Sequence, residues 1–208
     1  LTCGGEGSQS RHLYDIIARP HFGEPRRNSL HGVSMARFLL VRHGQSEWNS
    51  VGRMQGHADS PLTPQGRKQA QSAARKLTGF DWIASSDLAR ARDTALIISR
   101  ELSIPHLAPH PGLREIDVGP WQGLTRRDID RRYPGFLDND MRPPGYEPDE
   151  SVFNRVRSVL IQLAVEFDRR QEHPDTPPAG LVVTHSGVIR VMRRVLGYPD
   201  QRNHRNLE

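Results

Sequence analysis

The octapeptide Arg42-His43-Gly44-Gln45-Ser46-Glu47-Trp48-Asn49 sets an arginine, an imidazole and a glycine in succession directly after the apolar run Phe38-Leu39-Leu40-Val41. Far along the chain, Thr184-His185-Ser186-Gly187 follows Leu181-Val182-Val183 in the same way. An imidazole can act as nucleophile or proton carrier near neutral pH. A guanidinium fork matches the oxygens of a phosphate. One histidine after a strand is more often a packing or hydrogen-bonded loop residue; two, each at the end of an apolar run, are hard to explain as packing.

Bulky apolar runs of this length read as buried strands. Regular pleating would send Arg42 and His43 to opposite faces, so both serve one site only if the strand has ended and the chain turns there. Gly44 is expected to permit that turn, and the residues after it to open a helix whose free N–H groups favour an anion. In a parallel sheet the two histidine-bearing ends lie at one edge, where open α/β sheets bind ligands.

Further elements follow from periodicity and caps. Thr63-Pro64 predicts an N-cap with proline at the first helical position, for a helix to Leu77 that buries Ala70, Ala73, Ala74 and Leu77. Asp81–Ala84 reads as a short strand. Ser85-Ser86-Asp87 is expected to cap a helix that carries Arg92 and turns Leu88, Ala91, Ala95 and Ile98 inward. A Pro/Gly/acid-rich loop over about 134–149 precedes a long amphipathic helix with Val152, Phe153, Val156, Val159, Leu160, Leu163 and Phe167 inside. The last helix is expected to bury Val188, Ile189, Met192, Val195 and Leu196, to leave Arg190, Arg193 and Arg194 solvated, and to end at Gly197 and Pro199. Alternating strands and helices predict a three-layer α/β/α sandwich with a mostly parallel central sheet.

The chain has 208 residues, long enough for one domain with a substantial core. Hydrophobic residues make up 35% and mean hydropathy is −0.66, as in soluble proteins. No apolar stretch approaches the roughly 20 residues that cross a bilayer. A cytoplasmic location is expected, with no membrane partner. The net charge of +5 comes from arginines scattered among acids rather than from a basic run interleaved with aromatics, so nucleic acid is not expected as a partner. Cys3 is the one cysteine, which excludes an internal disulfide and a cysteine-based zinc site. His106 and His110 are separated by a segment containing Pro109, not by a helical turn, and neither a metal nor another cofactor is expected.

Residues 1–34 are Gly-rich at first and then of mixed charge with little periodicity. They lack the apolar stretch of a secretory signal and read as a disordered or non-native leader, with Met35 as the natural start of a domain over 35–208.

Four separated elements, in order, carry a resemblance over about Arg37 to residue 200. They are Arg42-His43-Gly44 with Asn49, Ser86-Asp87-Leu88-Ala89-Arg90-Ala91-Arg92-Asp93-Thr94-Ala95, Leu113-Arg114-Glu115, and Thr184-His185-Ser186-Gly187. The chain resembles the histidine phosphatase superfamily, also called the phosphoglycerate mutase-like family. That resemblance implies that His43 attacks phosphorus and becomes a phosphohistidine. It implies that Arg42, Arg92 and His185 complete the phosphate pocket and that Asn49 donates its amide to the same oxygens. It implies further that Glu115 protonates the leaving alkoxide and then activates water. Arg53, Gln55 and Gly56 match positions that meet the rest of the substrate, and Ser186 belongs with the phosphate-binding group. Arg126 and Arg127 can bind a substrate carboxylate or simply begin a solvated helix.

The same residues serve phosphatases and mutases. Mutases similar to this family have a longer segment between the acid and the second histidine, and Glu-Arg-His-Tyr-Gly where this chain has Glu115-Ile116-Asp117-Val118-Gly119. The expectation is a metal-independent phosphatase acting on a small phosphate monoester such as a sugar phosphate or phosphoglycerate, as monomer or homodimer. The alternatives are a cofactor-dependent phosphoglycerate mutase and a catalytically silent phosphate-binding protein. The chain departs from many relatives at Asp149-Glu150-Ser151, where they have Gly-Glu-Ser. It also stops at Asn206-Leu207-Glu208, where relatives usually continue into another strand, so a missing C-terminal strand is expected.

Overall fold

A computed structural model describes residues 17–18, 36–168 and 178–198. In chain order the elements are β1 (Ile17–Ala18), β2 (Arg37–Arg42), α1 (Glu47–Ser50), α2 (Pro64–Ala74), β3 (Trp82–Ser85), α3 (Ala89–Leu102), α4 (Arg126–Arg132), α5 (Asp149–Asp168), β4 (Ala179–Thr184) and α6 (Ser186–Val195). The strands form one sheet in the order β1-β2-β4-β3. β2, β4 and β3 run parallel, and β1 pairs antiparallel with β2. Most of the expected 1–34 leader and the chain end after 198 lie outside the described residues. Ile17–Ala18 is the part of that leader described, as the edge strand.

The period-two alternation of the strands divides the core in two. Phe38 and Leu40 of β2, Trp82 and Ala84 of β3 and Val182 of β4 face α5 and α6, where Val152, Val156, Val188 and Met192 close on them. Val41, Ile83, Leu181 and Val183 face the opposite layer, against Ala74 of α2 and Ala91, Ala95 and Ile98 of α3. This is the expected three-layer α/β arrangement. Gly180 lies opposite Trp82 in the register, and a Cβ there would run into the indole. The indole instead lies flat on Phe167 of α5, with ring centroids 4.1 Å apart. A smaller cluster of Val118, Trp121 and Ile129, joined by Tyr146, packs over the segment that follows Leu113.

Two expectations about local structure change. α3 has Leu88 at its N-cap, with no side-chain bond from that residue. Ala89 N donates instead to Asp59 Oδ1 at 2.7 Å, while Ser86 of the expected capping stretch accepts Leu88 N at 3.3 Å. The last helix buries Val188, Val191 and Met192, but Val195 and Leu196 are 48% and 40% exposed. They fall where α6 runs out beyond the sheet, with Gly197 at φ 73° just after them.

Candidate active site

β2 and β4 are adjacent and in register, with Arg42 opposite Thr184, so both histidine-bearing ends reach one edge of the sheet. His43 N donates to Thr184 O at 3.0 Å, which extends the ladder by one bond beyond the strands. The His43 and His185 rings then meet edge to face, centroids 5.1 Å apart. His43 is 5% exposed and His185 is fully buried.

Gly44 is needed for space rather than for a left-handed turn. Its φ is not positive, but a Cβ would collide with the backbone carbonyl of Gly66, and a Cβ on Gly66 would collide with Gln45 O. The two glycines let the His43 loop lie directly on the first turn of α2. α1, expected to offer free amides to an anion, instead uses its own cap. Asn49 N donates to Ser46 Oγ at 3.4 Å and Ser46 N to Asn49 Oδ1 at 3.3 Å. The amide oxygen of Asn49 is thereby engaged, which leaves its Nδ2 as the end that can donate to a ligand.

The Nδ1 of His43 lies 2.6 Å from Gly44 O. A carbonyl can only accept, so Nδ1 carries the hydrogen and Nε2 of the neutral ring keeps its lone pair. Burial, together with the charges of Arg90 and Arg42, holds the His43 ring well below its ordinary pKa of 6.5, against a smaller opposing effect of the Gly44 bond. His185 is also held well below 6.5, by burial and then by His43, Arg90, Arg155 and Arg42. Both of its ring nitrogens are buried, and neither has a hydrogen-bond partner among the described residues.

Arg90, not Arg92, is the arginine of α3 that faces the two imidazoles. The Arg92 side chain is 44% exposed and lies on Asp93 at 3.3 Å. Arg90 is fully buried and donates to Ala58 O at 2.7 Å and Gly56 O at 2.9 Å. Burial lowers its pKa to about 10 against the pull of Glu115 and Asp59, so it remains a cation at neutral pH. Both arginines lie within one helical stretch, and spacing alone does not say which faces inward. The signal that does is Ala91, Ala95 and Ile98. The inward stripe carries Arg90 and Thr94 beside them, and Thr94 Oγ1 accepts Gly44 N at 3.1 Å.

Glu115 follows a 3-10 turn at Pro111–Leu113 and reaches the N-terminus of α6. Its Oε1 accepts from Ile116 N at 2.9 Å and Val188 N at 3.3 Å, and its Oε2 from Gly187 N at 3.2 Å. The free amides after His185 are thus turned onto this chain's own carboxylate. A Cβ at Gly187 would collide with Oε1, which explains the glycine there.

Of the residues expected to meet the rest of the substrate, Gln55 is buried with Oε1 accepting from Ser46 Oγ at 2.7 Å. Arg53 is exposed with Nη1 on Gly123 O at 2.6 Å. Gly56, at φ 51°, is pressed against Val118, where a side chain would clash. Ser186 is the first residue of α6, beside His185. Arg126 begins α4 and lies near Asp130 and Asp138, in keeping with a solvated helix start. Arg190, exposed, is close enough for its charge to lower the pKa of Arg42. Among the described residues, no three His, Cys, Asp or Glu side chains are grouped as metal ligands.

The family model for the histidine phosphatase superfamily (branch 1) matches residues 38–207. The chain belongs to the histidine phosphatase superfamily. Within it, the chain is 35% identical over 164 residues to a metal-independent phosphoserine phosphatase of Arabidopsis thaliana, a match covering 74% of this chain and 66% of that protein. It is 34% identical over 169 residues to a glucosyl-3-phosphoglycerate phosphatase of Mycobacterium tuberculosis, covering 77% and 74%. A solved structure of mycobacterial glucosyl-3-phosphoglycerate phosphatase with VO3 superposes with a TM-score of 0.67 at 33% identity, over 77% of this chain and 80% of that one. Bacillus stearothermophilus YhfR gives a TM-score of 0.66 at 29% identity, over 81% and 84%.

Proposed function

We propose that this chain hydrolyses a small phosphorylated metabolite through a phosphohistidine on His43. The observation that carries this reading is the His43 ring. It is neutral, with Nδ1 bound to Gly44 O, and its free Nε2 sits among Arg42, Arg90 and His185. Arg42 and Arg90 supply cations for the phosphoryl oxygens. A ring N–H of His185 meets one of those oxygens, which satisfies a buried group that has no protein partner. Ser186 and the Nδ2 of Asn49 add neutral donors, while Arg53, Gln55 and Gly56 shape the approach.

In the first step the Nε2 lone pair forms the N–P bond as the P–O bond to the leaving group breaks. The released electron pair takes the proton of Glu115. In the second step ionised Glu115 takes a proton from water, whose oxygen bonds to phosphorus. The P–N electrons return to Nε2, so free phosphate leaves and the enzyme is restored.

Relatives named for phosphoserine and for glucosyl-3-phosphoglycerate support phosphatase chemistry on small phosphorylated metabolites. So do solved relatives with VO3 and with inorganic phosphate, both oxyanions. The test is release of phosphate from p-nitrophenyl phosphate in EDTA, followed by a screen of phosphoserine, phosphoglycerates and sugar phosphates. Turnover that His43→Ala abolishes supports the reading; a wild-type protein inert on every ester overturns it.

A further inference from the structure

Glu115 is held at its main chain as well as at its carboxylate, and one of the residues that hold it there lies on α5. Arg155, on α5, sends Nη1 to Gly112 O at 2.9 Å and to Arg114 O at 2.7 Å. Its Nη2 reaches Glu115 O at 3.0 Å and Glu147 Oε2 at 2.9 Å, and its Nε reaches Glu147 Oε1 at 2.8 Å. A guanidinium has five N–H donors, and these bonds use all of them. Glu147 in turn clasps Asp117, two residues beyond Glu115. Its N donates to Asp117 O at 2.8 Å, and Asp117 N donates to its Oε2 at 3.1 Å. The ion pair is mostly shielded, with side-chain exposures of 21% and 13%. The free lone pair of Glu115 O is met by His57 Nε2 at 2.8 Å.

We propose that Arg155, braced by Glu147, is a positioning residue for Glu115 and acts on proton transfer to the leaving group. This rests on the acid role of Glu115 given above. Three carbonyls of the segment 112–115 converge on one planar fork, and Asp117 is held by the fork's partner Glu147, so the course of the main chain that carries the Glu115 carboxylate follows the guanidinium. Among the described residues, Arg155 makes no hydrogen bond to Arg42, His43, Arg90 or His185, so its hydrogen bonds act on the Glu115 segment and not on the nucleophile. A proton transfer tolerates little misplacement, and an error of the order of 1 Å is worth about a hundredfold in rate. Arg155 also contributes charge near His185, and Arg155→Lys separates the two effects because lysine keeps the charge and loses the fork.

The experiment compares kcat and KM on p-nitrophenyl phosphate, whose leaving group needs little protonation, with those on phenyl phosphate, whose leaving group needs more. Thermal melts run alongside for wild type, Arg155→Lys, Glu147→Gln and Glu115→Gln. Arg155→Lys is expected to lower kcat on phenyl phosphate about tenfold or more, to leave p-nitrophenyl phosphate within about threefold, and to change KM little. Glu147→Gln is expected to do the same more weakly, and it decides the matter if Arg155→Lys does not fold. Equal losses on both esters, or none on either, overturn the proposal. If Glu115→Gln discriminates between the esters and neither Arg155→Lys nor Glu147→Gln does, the positioning role alone fails. If Glu115→Gln itself does not discriminate, the acid role fails with it.

Discussion

His43 and His185 face each other edge to face with centroids 5.1 Å apart, and both are held neutral by burial and by shared cationic neighbours. Burial beside these cations makes adding a proton to either ring unfavourable. A phosphate dianion supplies the opposite charge and makes protonation of His185 favourable.

The first prediction concerns stability against pH. Both rings have folded pKa values below the unfolded value of 6.5. Below that pH the unfolded chain binds protons that the folded chain does not, so their contribution is complete above pH 6.5 and is lost as pH falls toward the folded values. Between the folded and unfolded values each ring makes stability rise with pH. Urea melts between pH 7.5 and 5 should show stability falling with acidity, and added inorganic phosphate should flatten the slope. A stability independent of pH over that range would contradict the burial of two neutral imidazoles.

The arginines of α3 give a second prediction. Arg92→Ala should keep activity within about threefold, since its side chain lies outside the pocket on Asp93. Arg90→Met should lose at least a hundredfold in kcat/KM on p-nitrophenyl phosphate. It should also cost about 2–5 kcal/mol of stability, because the carbonyls of Gly56 and Ala58 lose their donor. Inverted results for the two variants would return the pocket to Arg92.

Glu115→Gln isolates the acid. The amide cannot give up a proton, and it turns an N–H₂ toward amides that now point at oxygen. Turnover of phenyl phosphate should drop about a hundredfold or more, and that of p-nitrophenyl phosphate much less. Parallel losses on the two esters would remove the acid role.

Gly44→Ala tests the close approach of the His43 loop to the first turn of α2. The new Cβ meets the backbone carbonyl of Gly66 rather than a flexible side chain, so something must shift. A loss of about 3 kcal/mol in chemical denaturation is expected, together with lower activity as His43 moves. Wild-type stability and activity in this variant would show that the approach is not needed.

Much of this arrangement was legible in one dimension. The apolar runs ending in histidine, the proline after Thr63, and the helical stripes of Ala70, Ala73, Val152 and Val156 are local signals, and each describes one element correctly. The roles expected of Gly44 and α1 from local signals, and of Arg92 from the family resemblance, change in the fold. What Gly44 avoids is the first turn of α2, what α1 caps is itself, and Arg92 points away because Arg90 shares the stripe of Ala91 and Ala95.

Sequence by itself determined the layers, the shared edge of the two histidine strands and the kind of chemistry they carry, because apolar periodicity and residue type are properties of neighbours along the chain. Only the tertiary structure decided which arginine enters the pocket and that the amides of α6 grip Glu115. It alone brought Arg155 across from α5 to hold that segment. Arg90 reaches carbonyls 32 and 34 positions away, Arg155 reaches Glu115 across 40 and the amides of α6 reach it across 72 and 73, and no spacing in the sequence encodes which donors and acceptors burial brings together.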